Sequence, residues 1–273
     1  MDDIVQVAVA GVVFGFDRSQ ALDLRHLWID GADLAPGPRP VTGPDPVVDR
    51  ALQGLIFTCG PDHIRQPCRV ASVDWPLHGS LIRQPSSRPI LHTWTCGATA
   101  VATVLISSPA GFRATVFRRY TIRDRQGPEI FIEDLVCNHG PGPMMPMLMY
   151  HLNFRSDLLA EATVLNGRRL ASPAVEAWRC GPAPPVVRLG PLAEFDACVS
   201  IVPGRGSLPW LQFWQRPDIL AIEPVSHQLR PRTELEQRHA RVLNPSEEIR
   251  FSLRIRIRLP HRNSIDEIGS GRA

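Results

Sequence analysis

Residues 249–259 read Ile-Arg-Phe-Ser-Leu-Arg-Ile-Arg-Ile-Arg-Leu, with an apolar side chain at every odd position and a polar one at every even position. Side chains alternate between the two faces of a β-strand, so this period-two pattern predicts one long strand with a dry face. The arginines of the other face are explained by a solvated sheet surface, because no aromatic residues lie between them to stack on bases. The segment therefore predicts a β-sheet and does not indicate nucleic-acid binding.

Similar patterns recur along most of the chain, and helical signals are few. Further strands are predicted at 5–14, 54–58, 98–106, 112–122, 129–137 and 219–222. The segment 21–28 is ambiguous, whereas 233–242 could form two or three helical turns. Loops are predicted at the proline-rich stretches 36–46, 141–146, 182–191 and 203–209. Many strands joined by such turns predict an all-β sandwich in a single domain, 1–273, with 261–273 as a flexible tail.

Composition excludes several classes of protein. The chain has 273 residues with 30 basic and 27 acidic side chains, a net charge of +3. A domain that binds nucleic acid through its charge needs a larger, clustered excess. The apolar stretch 4–16 follows two aspartates, is interrupted by glycines and is too short to span a bilayer. We therefore expect a cytoplasmic protein that binds neither nucleic acid nor a membrane.

Two polar residues interrupt the apolar run 144–154. His151 and Asn153 are two positions apart, so a strand places both on the same face. Polar side chains that project from such a run either line a cavity or satisfy one another in the core. The four methionines of the run are better explained as core residues than as a metal or cofactor site.

Three other segments place titratable groups where a strand or turn ends. Glu223 ends an apolar strand; burial would raise its pKa and make it a suitable general base, whereas a solvent-exposed strand end is the alternative. His78 precedes a glycine that allows a ligand close to the backbone, although an ordinary turn histidine has the same pattern. Asp62 and His63 follow the strand at 54–58, where a turn aspartate more often caps its own backbone.

Five stretches, in this order, resemble the galactose-mutarotase-like (aldose 1-epimerase) superfamily, in particular its branch of bacterial proteins with a domain of unknown function. They are GLIFTCGPDH (54–63), LHG (77–79), MLMYHLNF (147–154), LPWLQFW (208–214) and IEP (222–224). The resemblance implies an antiparallel β-supersandwich. It also implies an isomerase that exchanges the anomers of a small-molecule carbohydrate by general acid–base catalysis, with neither a cofactor nor a metal.

The resemblance also implies roles for individual residues. By motif position, His151 is the general acid toward the ring oxygen, Glu223 is the base toward the C1 hydroxyl and His78 binds the sugar. The other expected substrate-binding residues are Asp62, His63, Asn153, Arg83, Gln212 and Trp214. We expect a pyranose to lie between the acid and the base, which requires a wider arrangement than a metal site has.

Two departures from the pattern leave alternatives open. Ser80 stands where the branch has an arginine after the His-Gly pair, and Arg83 is a candidate to supply that guanidinium. The segment 193–208 is also shorter than in the family. Asp196 and Asp218 are candidates for the aspartate that holds sugar hydroxyls, although neither is matched by a motif. The alternatives are a non-catalytic sugar-binding protein and a metal-dependent sugar isomerase that uses the same two histidines and glutamate as a facial triad.

Overall fold

A computed structural model describes residues 3–38, 43–125, 127–159, 161–170, 177–228, 230–237 and 241–259, with the backbone alone at 177–180 and 237. The expected tail, 261–273, lies outside these residues. Within them the helices are α1 (Pro46–Ala51) and α2 (Arg232–Gln237), and the strands are β1 (Ile4–Val9), β2 (Val12–Asp17), β3 (Asp23–Ile29), β4 (Ala32–Asp33), β5 (Ile56–Cys59), β6 (Cys68–Val70), β7 (Val73–Trp75), β8 (Ile90–Trp94), β9 (Gly97–Ser107), β10 (Arg113–Asp124), β11 (Pro128–Asn138), β12 (Met149–Arg155), β13 (Val164–Leu165), β14 (Arg168–Arg169), β15 (Ala177–Pro182), β16 (Val187–Leu192), β17 (Ala197–Pro203), β18 (Trp210–Arg216), β19 (Ile219–Val225) and β20 (Glu248–Arg258).

Two large antiparallel sheets form the body of the molecule. The nine-stranded sheet has the order β14-β13-β16-β17-β20-β11-β10-β9-β8, and the five-stranded sheet has the order β15-β18-β19-β12-β5. A four-stranded sheet, β1 to β4, and the hairpin of β6 and β7 complete the described strands. The predicted long strand at 249–259 is β20, and the all-β class is confirmed. Besides α1 and α2, the described residues form two short 3-10 helices, Leu81–Arg83 and Ser156–Leu158. None of these described helices is long and apolar enough to cross a membrane.

Two local predictions, the single strand at 5–14 and the loop at 182–191, are wrong, each for an identifiable reason. The single strand expected at 5–14 is a hairpin, because Ala10 and Gly11 adopt positive φ values of 49° and 77° and turn the chain between β1 and β2. The ambiguous segment 21–28 is the strand β3. The loop expected at 182–191 contains most of β16, whose register with β17 shifts between Leu189 and Leu192, and proline is tolerated at such a bulge. The helix expected at 233–242 is α2 as far as Gln237, and residues 238–240 lie outside the described part.

The five-stranded sheet has two different faces. One face carries Ile56, Leu152 and Ile222, which are buried in the same hydrophobic cluster as Val116 and Leu253 of the nine-stranded sheet. The two sheets therefore pack face to face as a sandwich. The residues next to these in each strand point the other way, since successive side chains alternate. That second face carries the candidate site.

A buried ionic network joins the two sheets through the core. The guanidinium of Arg118 in β10 is fully buried and forms two 2.8 Å hydrogen bonds to Asp134 in β11. It also donates to Asp23 in β3 at 2.6 Å. From the five-stranded sheet, the Tyr150 hydroxyl donates to Asp134 at 2.8 Å and the Thr58 hydroxyl donates to Asp23 at 2.9 Å. The network therefore fixes β5 and β12 against the opposite sheet.

Removing the centre of this network should destabilise the protein strongly. Arg118→Met leaves the carboxylates of Asp23 and Asp134 buried without their cation, so we expect the free energy of unfolding in urea to fall by about 3–5 kcal/mol. The matched control is Arg119→Met, because Arg119 is half exposed and pairs with Glu133 on the sheet surface. The control should lose less than about 1 kcal/mol. Equal losses in the two variants would contradict the structural role of Arg118.

Candidate active site

Four side chains lie side by side across the five-stranded sheet, on the face opposite the main core. The β5–β12 register pairs Phe57 with His151, and the β18–β19 register pairs Gln212 with Glu223. The register between β12 and β19 places His151 opposite Glu223. Directly opposite residues point to the same side of a sheet, so these four, here called the site row, share one face. All four are buried.

The tautomer of His151 follows from its neighbours. The Nδ2 group of Asn153 donates to the Gly54 carbonyl at 2.8 Å, so the Oδ1 atom of Asn153 is the one that faces His151. His151 Nδ1 lies 2.6 Å from that oxygen and must therefore carry a hydrogen. The imidazole also stacks on Phe57 with ring centroids 4.3 Å apart. The remaining nitrogen, Nε2, is left with a lone pair.

His151 and Glu223 are in direct contact, with Nε2 and Oε1 3.2 Å apart. Burial raises the pKa of Glu223 to about 7, against the hydrogen bond from Gln212 and the charge of Arg65, which both lower it. Burial also lowers the pKa of His151 to about 3, although its bond to Asn153 raises it. A lone pair facing a carboxylate is repulsive, so the contact requires one proton between Oε1 and Nε2. Below about pH 7 the pair therefore holds a single proton, mainly on the carboxyl group.

His78 faces this pair from a turn that two backbone hydrogen bonds fix. Its N–H donates to the Arg65 carbonyl, and its own carbonyl accepts from Gly60. The half-buried ring lies edge-on to His151 with centroids 5.7 Å apart. Burial lowers the pKa of His78, so the imidazole is neutral. Within the described part of the chain, its buried Nδ1 has no hydrogen-bond partner.

Asp62 stabilises the turn that carries His78 through two hydrogen bonds from Ser80. Its carboxylate accepts from the Ser80 N–H at 2.8 Å and from the Ser80 hydroxyl. Gly79 has a φ of +79°, and a Cβ there would lie 2.2 Å from the His63 carbonyl oxygen, so only glycine fits. Ser80 therefore anchors the turn to Asp62, which is fully buried.

Of the other expected substrate-binding residues, Trp214 contacts the site row, whereas Arg83 and His63 are bound to protein groups elsewhere. Trp214 is half-buried, and its ring lies edge-on to His151 with centroids 6.0 Å apart. Arg83 forms an ion pair with Asp45 and donates to the Leu77 carbonyl at 3.1 Å, so its guanidinium is bound to protein groups. His63 hydrogen-bonds the Gln66 carbonyl at 2.7 Å.

A cavity of about 260 Å³ lies next to the site row. Its lining includes His63, Arg65, Met147, Arg232 and Leu235. The structure therefore places His63 at this neighbouring cavity, from which Arg65 extends to Gln212 in the site row.

The two candidate aspartates lie in exposed turns. Asp196 is in the turn between β16 and β17, and Asp218 is in the turn between β18 and β19, 3.4 Å from Arg216. Neither turn contains a residue of the site row.

Sequence reasoning missed Arg65, which is buried and hydrogen-bonded to the Gln212 amide. No periodicity marks it, because it lies in a turn and reaches its partner across 147 positions of sequence. A metal site does not appear in the described residues, where no three His, Cys, Asp or Glu side chains are grouped closely enough to hold an ion.

Comparisons with known proteins agree with this architecture. The family model described as Domain of unknown function (DUF4432) matches residues 10–175. No curated protein sequence matches the chain. Among solved structures, a proposed aldose 1-epimerase from Klebsiella pneumoniae has a TM-score of 0.76 and 16% identity, covering 91% of this chain and 77% of that chain.

Two further solved structures have a similar fold. A galactose mutarotase-like protein from Clostridium acetobutylicum has a TM-score of 0.66 and 11% identity, covering 94% of this chain and 95% of that one. A proposed aldose 1-epimerase from Escherichia coli has a TM-score of 0.65 and 14% identity, covering 94% and 99%. At these identities the likeness shows the fold alone, and the expected antiparallel β-supersandwich is confirmed.

The raised pKa of Glu223 predicts how its replacement changes stability with pH. A carboxyl whose pKa rises from 4.5 to about 7 on folding stabilises the folded state below pH 4.5, and this contribution is lost as the pH rises to about 7. Glu223→Gln keeps the shape and the hydrogen bonds of the protonated acid but cannot ionise. The variant should therefore gain about 1–3 kcal/mol of unfolding free energy relative to the parent between pH 4.5 and pH 7.

Urea unfolding of parent and variant across this pH range measures the difference. His151 is present in both proteins, so its own titration largely cancels. A difference that stays constant with pH would show that Glu223 titrates as an ordinary carboxyl group.

Proposed function

Because the chain belongs to the family of the domain of unknown function DUF4432 and has the fold of galactose mutarotase-like proteins, we propose that it is a carbohydrate isomerase of the aldose 1-epimerase type. The observation that carries the proposal is the 3.2 Å contact between His151 Nε2 and Glu223 Oε1. It is a buried acid–base pair with one transferable proton. A protein that only binds sugar has no need of such a pair.

The geometry of the pair suits anomer exchange. The reaction removes a proton from the C1 hydroxyl and delivers one to the ring oxygen, after which the ring opens, the aldehyde turns and the reverse transfers close it. Both oxygens are bonded to C1, so they are only two bonds apart. The wide separation of acid and base expected from the sequence is wrong, because a 3.2 Å contact leaves no room for a pyranose between them. A base and an acid in contact can instead reach both oxygens from one side.

Roles for the pair follow from the proposed reaction. Glu223 accepts the proton of the C1 hydroxyl, and His151 Nε2 donates to the ring oxygen. Opening leaves the carboxyl protonated and the imidazole neutral, which is the protonation state that their pKa values favour in the free protein. The resting pair is thus set for ring closure, and one proton shift from Oε1 to Nε2 prepares it for opening.

The substrate contacts that we propose come from the exposed side of the site row. His78 and Trp214 are half-buried and face His151, so a sugar placed over the pair meets both rings. The buried Nδ1 of His78 is without a partner among the described residues. Asn153 and Asp62 have their polar atoms bound to protein groups, which makes them supports of His151 and of the His78 turn.

Replacing either member of the pair should abolish most catalysis without unfolding the protein. We expect Glu223→Gln and His151→Gln to slow anomer exchange by about 10²-fold or more, with little change in sugar affinity. The measurement is exchange spectroscopy by NMR over a panel of aldoses and uronic acids. The matched control is His92→Gln, because His92 lies on the exposed strand β8.

Each outcome of this assay separates the alternatives. A pair variant as active as the parent would exclude that residue from the chemistry. Sugar binding without exchange in the parent would favour a binding protein. The assay is run with and without a metal chelator, and activity lost only with the chelator would favour the metal-dependent alternative.

The pH dependence of the parent tests the shared proton. Above about pH 7 the carboxyl of Glu223 ionises while His151 is neutral, and no proton remains for the ring oxygen. We expect kcat/KM, after subtraction of the uncatalysed rate, to fall about tenfold per unit above that pH. A rate that rises through this region would contradict a pair that works with one proton.

A further inference from the structure

Arg65 occupies an unusual position between the neighbouring cavity and the site row. It lies in the turn after β5 with a φ of +71°, a left-handed conformation that non-glycine residues rarely adopt. Its guanidinium is buried and donates to the carbonyls of His227 at 2.6 Å and Gln228 at 2.8 Å. The Nε–H group donates to Gln212 Oε1. One side chain thus connects the segment after β19 to the site row.

This contact determines which way the Gln212 amide faces. A guanidinium has only donors, so the atom of Gln212 that faces Arg65 must be the oxygen. The NH₂ group then faces Glu223 and donates to its Oε2 atom. A flipped amide would bring two donors together at Arg65 and an oxygen against the carboxylate at Glu223. The orientation is therefore set by Arg65.

The orientation of the Gln212 amide determines which oxygen of Glu223 carries the proton. Because Oε2 accepts from Gln212, a proton on Glu223 belongs on Oε1, which faces His151 Nε2. At the far end, Asn153 fixes the Nδ1–H tautomer of His151. The contacts from Arg65 to Asn153 thus form a continuous series of hydrogen bonds. Each contact pairs a donor with an acceptor if a single proton lies between Oε1 of Glu223 and Nε2 of His151.

We propose that Arg65 is a positioning residue which, through the amide of Gln212, directs the shared proton to Oε1 of Glu223, where His151 can exchange it. The catalytic use of that proton rests on the proposed function. The hydrogen-bond direction itself rests on the contacts of the free protein. Arg65 does not touch the reacting pair, so it acts through Gln212 and through its charge.

Other titratable and charged groups also face the pair. Cys59 lies near Glu223, and His78 faces His151. Arg83 lies near His78, and His227 lies near Arg65. Burial raises the pKa of the Cys59 thiol, lowers that of His78 and lowers that of His227 to about 4. These three groups are therefore neutral near pH 7.

The experiment follows the titration of the pair without any sugar. Nitrogen-15 spectra of labelled histidine report the tautomer of His151 and the midpoint at which the shared proton is lost, and His151→Gln identifies its signals. The variants are Arg65→Gly, which suits the positive φ, Gln212→Met, and the two combined. The control is Arg232→Gln, since Arg232 is similarly buried but donates to the backbone of Asp62.

Removing either Arg65 or Gln212 should raise the midpoint by about one pH unit, a tenfold change in proton affinity, because the carboxylate loses a donor or a nearby cation. The double variant should shift by less than the sum, since Arg65 acts partly through the amide. Added methylguanidinium should lower the midpoint of Arg65→Gly again. The control should leave the midpoint unchanged.

Two results would overturn the proposal. Additive shifts in the double variant would mean that Arg65 acts by charge alone, and an unchanged midpoint in Arg65→Gly would remove its influence altogether. If Arg65→Gly does not fold, Arg65→Lys takes its place in the same cycle, because lysine keeps the charge and loses the fork of donors. An inactive protein with the expected shifts would refute the proposed function and leave the positioning role standing.

Discussion

The register between β12 and β19 is the constraint on which the site depends. It places His151 opposite Glu223 on one face, and because side chains alternate along a strand, it places Leu152 and Ile222 together in the core. A slip of one residue would turn the ionisable pair into the apolar core between the sheets and move Leu152 and Ile222 to the face that carries the site. The large free-energy cost of both errors makes this register, and with it the acid–base contact, the favoured arrangement.

The buried ionic network on the other side of the sheet supports the same register. Tyr150 directly precedes His151, and Thr58 directly follows Phe57. Their hydroxyls donate to the two aspartate carboxylates that pair with Arg118. A polar network of this kind is costly when incomplete, so it specifies one alignment of β5 and β12. The network on the core face holds β5 and β12 rigidly, and this rigidity explains how the 3.2 Å contact between ionisable groups persists on the opposite face.

Several strands and site residues could be predicted from the sequence. Period-two alternation identifies β20 and places His151 and Asn153 on one face. An apolar strand leads to Glu223. What could not be predicted depends on contacts distant in sequence. Arg65 reaches Gln212 across 147 positions, and Arg83, the candidate for the missing guanidinium, is held by Asp45. Turn geometry was the other gap, because positive φ at Ala10 is not evident from residue type.

The central claim is that His151 and Glu223 hold one proton between them. Neutron diffraction from deuterated crystals of the free protein at about pH 6, below the raised pKa of the carboxyl, would locate it directly. The account predicts one deuteron between Oε1 of Glu223 and Nε2 of His151, a second on His151 Nδ1 facing Asn153, and none on Oε2. A deuteron on Oε2, or an empty space between Oε1 and Nε2, would contradict it.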